Sequence, residues 1–319
     1  SAHVCIDDAT NSDAHIMKFN AAATSTTLSI RFSNSAGNGA PYAIDVDSSG
    51  NIYTVGYDDF NSSPQLFQGV YHKHNSAGGV QFTRRIGSTN ETICTEVKVG
   101  SANTVYVAGN YGASPASNVF LASVQVGTGV TNWVRTLDDT KELYPARVCV
   151  DSDNNVYVVG RNFFATRNSF IAKYNSAGTI QWQREISSIG YTLSGGVGAN
   201  SAQDFAINDA IVDENDLVLV GYAMSSDGST QRGFLMRYPT SGSKLFSISN
   251  DDTTVDPSYA ETTTIAASSY TTGTQSSIAG FTTSVTGFTG TTLTVVVSAA
   301  TSMTQSNSSV NTVDKRIFF

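Results

Sequence analysis

Charge is scarce in this chain: Asp, Glu, Lys and Arg make up 14% of its 319 residues, against roughly a quarter in ordinary soluble domains. Basic residues are the rarer kind, 18 against 26 acidic ones, for a net charge of −8. A protein that tracks phosphates needs a basic stripe, so nucleic acid is not the expected partner. Long apolar runs are missing as well. The longest β-type run, Val295-Val296-Val297, is far short of the ~18 residues of a membrane helix, and no membrane insertion is expected. The chain starts at Ser1 without an initiator Met or a signal-like apolar segment, which suggests processing or excision from a longer polypeptide. Cysteine is limited to Cys5, Cys94 and Cys149, an odd number at spacings that match no metal site. Buried thiols are the expected reading. The similar surroundings of Cys5 (Ala-His-Val-Cys-Ile-Asp) and Cys149 (Ala-Arg-Val-Cys-Val-Asp) point to equivalent strands.

What takes the place of charge is Ser, Thr, Asn and Gly, arranged in a repeat. Gly50-Asn51-Ile52-Tyr53-Thr54-Val55-Gly56 returns as Asn103 to Gly109, as Asn154 to Gly160 and, without the Tyr, as Asn215 to Gly221. A weak fifth copy is Ser276 to Gly280. Each follows a short apolar strand that ends in an acidic turn, as in Ala43-Ile44-Asp45-Val46-Asp47. Two such runs joined by Ser-Gly-Asn or Asp-Asn-Asn read as a hairpin. Val46, Val99, Val150 and Ile211 each lie ten residues before their glycine and are read as equivalent. A second unit follows: Phe170-Ile171-Ala172-Lys173-Tyr174-Asn175-Ser176-Ala177-Gly178, then Gln181-Trp182-Gln183-Arg184, matched by Val70 to Gly78 and Gln81 to Arg84. Gly78, Gly129, Gly178 and Gly242 each precede an aromatic residue by four positions. Glycine there accepts positive φ and sets the strand register.

Four strands per roughly 50 residues, with tight turns and no helical period, is the content of a propeller blade. The expected fold is therefore all-β and propeller-like. It has about five four-stranded antiparallel blades, six if each chain end forms its own degenerate blade, and a Ser/Thr-rich β tail. Nearly complete units fall at 41–87, 92–138, 144–188 and 204–250. The N-terminal piece His15 to Arg31 reads as half a blade, to be completed by strands from the C-terminal third, with 258–282 as the candidate other half. Residues 1–282 then form the repeat domain and 283–319 a tail for assembly or ring closure. Trp133 and Trp182 are expected at equivalent, buried places in adjacent blades.

The string D-x-x-G-N-x-Y-x-x-G followed by F-x-x-K-Y-N-S-A-G-x-x-Q-W-x-R resembles the SBBP-type β-propeller repeat of bacterial surface proteins. Lys-Tyr-Asn-Ser-Ala-Gly with Gln-Trp-Gln-Arg is also similar to strings in structural proteins of tailed phages, cyanophages among them. The resemblance spans 13–250 and is best at 144–188. It implies a virion structural protein in a tail, fibre or capsid-surface position, with other virion subunits or copies of itself as partners and a host-surface glycan as a further one. The alternative is a secreted or surface adhesin of a bacterium, located extracellularly or on the cell. A third reading, a propeller glycosidase or lyase, needs clustered carboxylates on one rim.

No catalytic residue and no cofactor is expected, because no nucleophile elbow, phosphate loop, dinucleotide fingerprint or zinc helix motif occurs. His72 and His74 point to one strand face, but they occupy the places of Ala172 and Tyr174, so no metal is assigned. Asp45 to Asn51 and Asp151 to Asn155 faintly resemble calcium loops without the distal Glu. Arg31, Arg84, Arg135 and Arg184 are expected to lie on their neighbouring aromatics and pair locally. Contacts to a ligand or partner are placed on Tyr191, in the 188–204 insertion, on Asp58 and Asp59, in a solvated 57–67 loop, and on Val295, Val297, Ile317 and Phe318 of the tail.

Overall fold

The repeat is built from two kinds of hairpin, and each is written in the side chains of its turn. In the first, Asp47 Oδ1 accepts from the backbone N–H of Ser49 and Asn51, both at 2.9 Å. Gly50 takes φ 78° there, and Asn154 takes φ 60° at the same place in a later copy; Asn tolerates that region better than most residues. In the second, Asn75 and Asn175 each receive two turn N–H groups on Oδ1. Their own N–H groups close the loop on Gly79 O and Thr179 O.

The computed structural model describes residues 3–7, 14–21, 26–33, 39–62, 65–86, 91–101, 104–112, 117–138, 142–162, 168–189, 205–224, 231–243, 246–251, 260–267, 271–274 and 289–292. Every regular element among them is a β-strand. The first sheet contains β1 (His3–Asp7), β2 (Ala14–Phe19) and β3 (Thr26–Ser33); the second contains β4 (Gly39–Val46), β5 (Ile52–Ser62), β6 (Gln65–His74) and β7 (Val80–Ile86). The third runs through β8 (Thr92–Val99), β9 (Thr104–Tyr111), β10 (Asn118–Gln125) and β11 (Thr131–Asp138). The fourth runs through β12 (Leu143–Val150), β13 (Val156–Asn162), β14 (Ser169–Tyr174) and β15 (Ile180–Ile189). The fifth has β16 (Phe205–Asp213), β17 (Asp216–Met224) and β18 (Gln231–Pro239). Four more strands follow: β19 (Phe246–Asp251), β20 (Ala260–Ala267), β21 (Thr271–Thr274) and β22 (Thr289–Thr292). All strand pairs are antiparallel.

The sheets stack in chain order, face against face. First strands meet one another, β4 with β8, β8 with β12 and β12 with β16. Each sheet thus has a leading face toward the next sheet and a trailing face toward the previous one. Tyr157, Val159 and Ile171 lead from the fourth sheet and pack on Leu217, Leu219 and Tyr238 of the fifth. Val156, Val158 and Ala172 trail, and pack on Tyr106, Ala108 and Leu121 of the third. This explains why the central strands are apolar at nearly every position rather than at alternate ones: both of their faces are buried. The first junction is different. Among the described residues its buried apolar cluster is Ile16 and Ile52, with Leu28, Ile44 and Val46 packed against them. The trailing face of the second sheet there carries buried Thr54, His72 and His74.

Several expectations need correction. The 258–282 segment does not complete the first sheet: β20 pairs with β15, and β21 pairs with β11. The expected pairing of the first sheet with the C-terminal third does occur, but through β22, from the tail, which covers β3. The fifth unit has three strands rather than four, since β19 leaves it to pair with β20. The reason lies at Pro239, which stands where Asn75 and Asn175 stand. It has no N–H to close the hairpin and no side-chain acceptor for the turn. Ile211 is not the counterpart of Val150, because the Asp213–Asp216 hairpin is one residue tighter and Val212 takes that place. Nor are the two cysteine strands equivalent. Cys5 lies in β1, which pairs with β2 as β13 pairs with β14, whereas Cys149 lies in β12, a first strand.

Candidate binding cleft

The residues common to the repeats hold one sheet to the next. Trp133 donates through Nε1 to Ser176 O at 3.0 Å, and Trp182 to Thr240 O at 3.1 Å, each in the turn of the following sheet. The ring lies on the turn glycine itself: a Cβ at Gly129, Gly178 or Gly242 would run into Phe82, Trp133 or Trp182. The glycine is therefore required twice, for its positive φ and for its missing side chain. Arg84, Arg135 and Arg184 cover the outer side of those rings, with guanidinium carbons 5.3–5.6 Å from the ring centroids. They donate onward to Thr128 O, Gly178 O and Gly242 O. Lys73 and Lys173 do the same from Tyr53 and Tyr157, reaching Val126 O and Thr240 O. The expected cation–π contact and local pairing are both present, each arginine also donating Nη1 to the carbonyl of the preceding residue (Thr83, Val134 and Gln183). The contacts to the next sheet come in addition. Trp133 and Trp182 occupy equivalent places, opposite Ser123 and Lys173, and are half-buried.

Once these shared residues are assigned to sheet contacts, several side chains that differ between copies are found together at one location. The first strands of the second to fifth sheets all carry a bulge at the same place, inserting Tyr42, Thr95, Ala146 and Asn208. A bulge bends its strand and re-aims its side chains. Three of these residues, Thr95, Ala146 and Asn208, border a cleft of about 500 Å³ between the third, fourth and fifth sheets. Its walls also hold Asn110, Tyr144 and Arg161. Asn110 Nδ2 donates to Leu143 O at 2.5 Å and Tyr144 O–H to Glu142 Oε2 at 3.1 Å. Thr95 Oγ1 is shielded and has no protein partner. The lining thus combines amides, one tyrosine ring with its hydroxyl and one cation with the apolar side chains of Pro145, Ala146 and Ile207, a mixed composition suited to orienting a ligand.

The next residues along, Glu96, Arg147 and Asp209, form a charged line across the same three strands. Arg147 is bidentate to Asp209, Nε to Oδ1 at 2.5 Å and Nη2 to Oδ2 at 2.9 Å, and reaches Glu96 Oε2 at 3.4 Å. Burial pushes the Glu96 carboxyl up to about 7, although Arg147 pulls it the other way. Asp209, held chiefly by the Arg147 hydrogen bonds, stays below its ordinary value. Replacing Arg147 with Met is expected to move the Glu96 titration still higher. A carboxyl NMR titration checks this, and an unchanged Glu96 midpoint would show that Arg147 does not govern it. The repeat gave a usable signal for this line: Ala43, Glu96, Arg147 and Asp209 share one register position.

The residues expected to make contacts fare differently. Asp58 and Asp59 do not sit in a loop; the backbone of β5 carries them, paired with Gln68 and Phe67 in an extended hairpin. Tyr191, Val295, Val297, Ile317 and Phe318 lie outside the described residues, as does the Ser276 to Gly280 copy. His72 and His74 are buried with ring centroids 6.3 Å apart, His72 Nδ1 lying 2.9 Å from Thr83 Oγ1. No group of three metal-ligating side chains occurs among the described residues. The acidic turns are saturated locally: Asp151 accepts from Asp153 N, Asn155 N, Asn155 Nδ2 and Tyr157 O–H at 2.8–3.0 Å. The D-x-x-x-N-x-Y pattern is thus accounted for by the turn alone. No family model matches the chain, and no curated protein matches it significantly.

Proposed function

We propose that the chain is a virion structural protein of a tailed phage, a propeller-like scaffold of five blades that acts by subunit assembly and by recognition of a host surface. Each sheet is one blade, and the meeting of first strands along the row supports that reading. The observation that carries the functional part is the division of labour among polar side chains. The Trp, Arg, Lys and Asp residues shared by the repeats are engaged in turns and sheet contacts. Several copy-specific polar residues, Thr95, Tyr144, Arg161 and Asn208 among them, lie instead around the bulges bordering the cleft. Such an arrangement presents a rigid framework with one variable surface, as recognition requires. Amides, a hydroxyl and a tyrosine ring suit a surface glycan there. The low-charge Ser/Thr composition and the resemblance of the repeat strings to those of phage structural proteins favour the virion over a bacterial adhesin.

The test is mass spectrometry of gradient-purified virions, together with gold labelling by an antibody against this chain. Stoichiometric recovery with label on the particle is the expected result. Recovery from the bacterial envelope and not from particles would replace this reading with the adhesin.

A further inference from the structure

The two ends of the row of sheets carry faces that match and that, among the described residues, are incompletely covered. Ile211, Val220 and Leu235 are 60%, 39% and 56% exposed. Val220 pairs directly with Leu235 and with Asp209, two residues from Ile211, so the three share one face of the fifth sheet. By register they stand where Cys149, Val159 and Ile171 stand in the fourth sheet, which are 4%, 0% and 0% exposed beneath the fifth. The fifth sheet therefore ends in a leading face of the kind that elsewhere in the chain is always covered by the trailing face of another repeat. Arg237 fits the same picture. It occupies the place of Lys173, which donates to the next turn, but turns back to Asp213 and Asp216 at 3.0 Å each.

One trailing face in the chain is likewise without a preceding sheet, that of the first sheet. Met17 and Phe19 hold the places of Ala172 and Tyr174 there, and both are half-buried rather than covered. We propose that the leading face of the fifth sheet docks on the trailing face of the first sheet of a second copy, so that copies join head to tail. The occupant is a second copy and not the chain's own first sheet for two reasons. Among the described residues, the fifth and first sheets are not packed together as the four internal junctions are. In addition, this joint lacks the aromatic–glycine clamp on both sides. Phe246 has left the fifth sheet with β19, and the first-sheet turn, Asn20 to Thr26, contains no glycine. An unclamped apolar joint is the one that forms between subunits. A heterologous contact of this kind closes into a ring or extends as a filament. The proposal rests on the assembly role above, but its test uses the purified chain, so absence from virions and failure to self-associate are read separately.

Sedimentation of the full chain over a concentration series is the measurement. The wild type should rise above the monomer mass of 33.7 kDa as concentration increases. Leu235→Asp and Met17→Asp should each stay monomeric alone and, when mixed, form a dimer and nothing larger, since the mixture retains one intact pair of faces. Phe19→Ser replaces Met17→Asp if the latter lowers the melting temperature. A wild type that is monomeric throughout overturns the proposal, as does a mixture that remains monomeric. So does dimerisation of Met17→Asp by itself, which would mean that two leading faces meet each other.

Discussion

Replacing Gly109 with Ala is expected to cost at least about 3 kcal/mol, at or above the top of the ~1–3 kcal/mol of ordinary overpacking, and to lower the melting temperature by roughly 5 °C. Gly109 lies opposite Cys94, just before the Thr95 bulge, and the bend brings the carbonyl of Ile93 over its Cα. A Cβ would fall on that carbonyl oxygen, and the obstacle is backbone that cannot rotate away. Gly56 and Gly160 face Ala40 O and Tyr144 O in the same way, so the repeated glycine and the repeated bulge are one device. Gly127 supplies the control. It has no neighbour within 4 Å of a Cβ, and Gly127→Ala should change stability by no more than about 0.5 kcal/mol. Thermal unfolding of the two variants decides the matter. Equal melting temperatures would mean that the strand crossing over Gly109 yields easily.

The second large effect is an acid weakness that His72→Ala lessens, the part due to His74, whose pKa burial also lowers, remaining. Burial between the first and second sheets, with His74 and Arg85 nearby, pulls the His72 pKa down to about 3 from 6.5. The folded form then holds a neutral ring while the unfolded chain takes up a proton below pH 6.5. Stability from this group is complete above that pH and is lost as pH falls toward 3, by as much as ~1.4 kcal/mol per pH unit. The cumulative loss is on the order of a few kcal/mol. Glu96 works in the opposite direction, because its raised pKa adds stability below about 4.5 that disappears as pH rises through 7. Wild type and His72→Ala must therefore be compared at each pH. Denaturant unfolding between pH 7 and pH 4 should show a flatter dependence for the variant, which carries the Ala found at this place in the third and fourth sheets. Parallel curves would remove His72 as the cause. Hydrogen exchange at pH 4 should open β1 to β3 first, since it is their junction that buries His72 and His74.

The strands themselves were legible in the sequence because each hairpin carries its instructions locally, in Asp47, Gly50, Asn75 and Gly78 and their copies. Sheet contacts were half legible. The Trp–Arg pair announced a stacked guanidinium, but nothing local states that both donors reach across to the next turn. The charged line of Glu96, Arg147 and Asp209 was present in the alignment as a position that refused to repeat. It escaped notice because the bulge that brings its members together has no residue signature of its own: Tyr42, Thr95, Ala146 and Asn208 share nothing. The course of β19 was hidden for a related reason. Pro239 removes one hydrogen bond, and which distant strand then claims β19 depends on edges left open elsewhere in the fold.

The strands that follow the fifth sheet determine when the protein can be finished. Each of the second to fourth sheets has a core of four strands drawn from a single stretch of roughly 50 residues, so on the ribosome a new core can assemble about every 3–10 s. The strands β20, β21 and β22 return to β15, β11 and β3, sheets made earlier, and in the reverse of the order in which those sheets emerged. Until they arrive, three rows of backbone donors and acceptors stand open on a nascent chain, the condition under which neighbouring polypeptides cross-pair. The most association-prone stage therefore follows the fifth sheet, and a chain cut short after Pro239 would have the apolar clusters of the described residues without these three edge pairings.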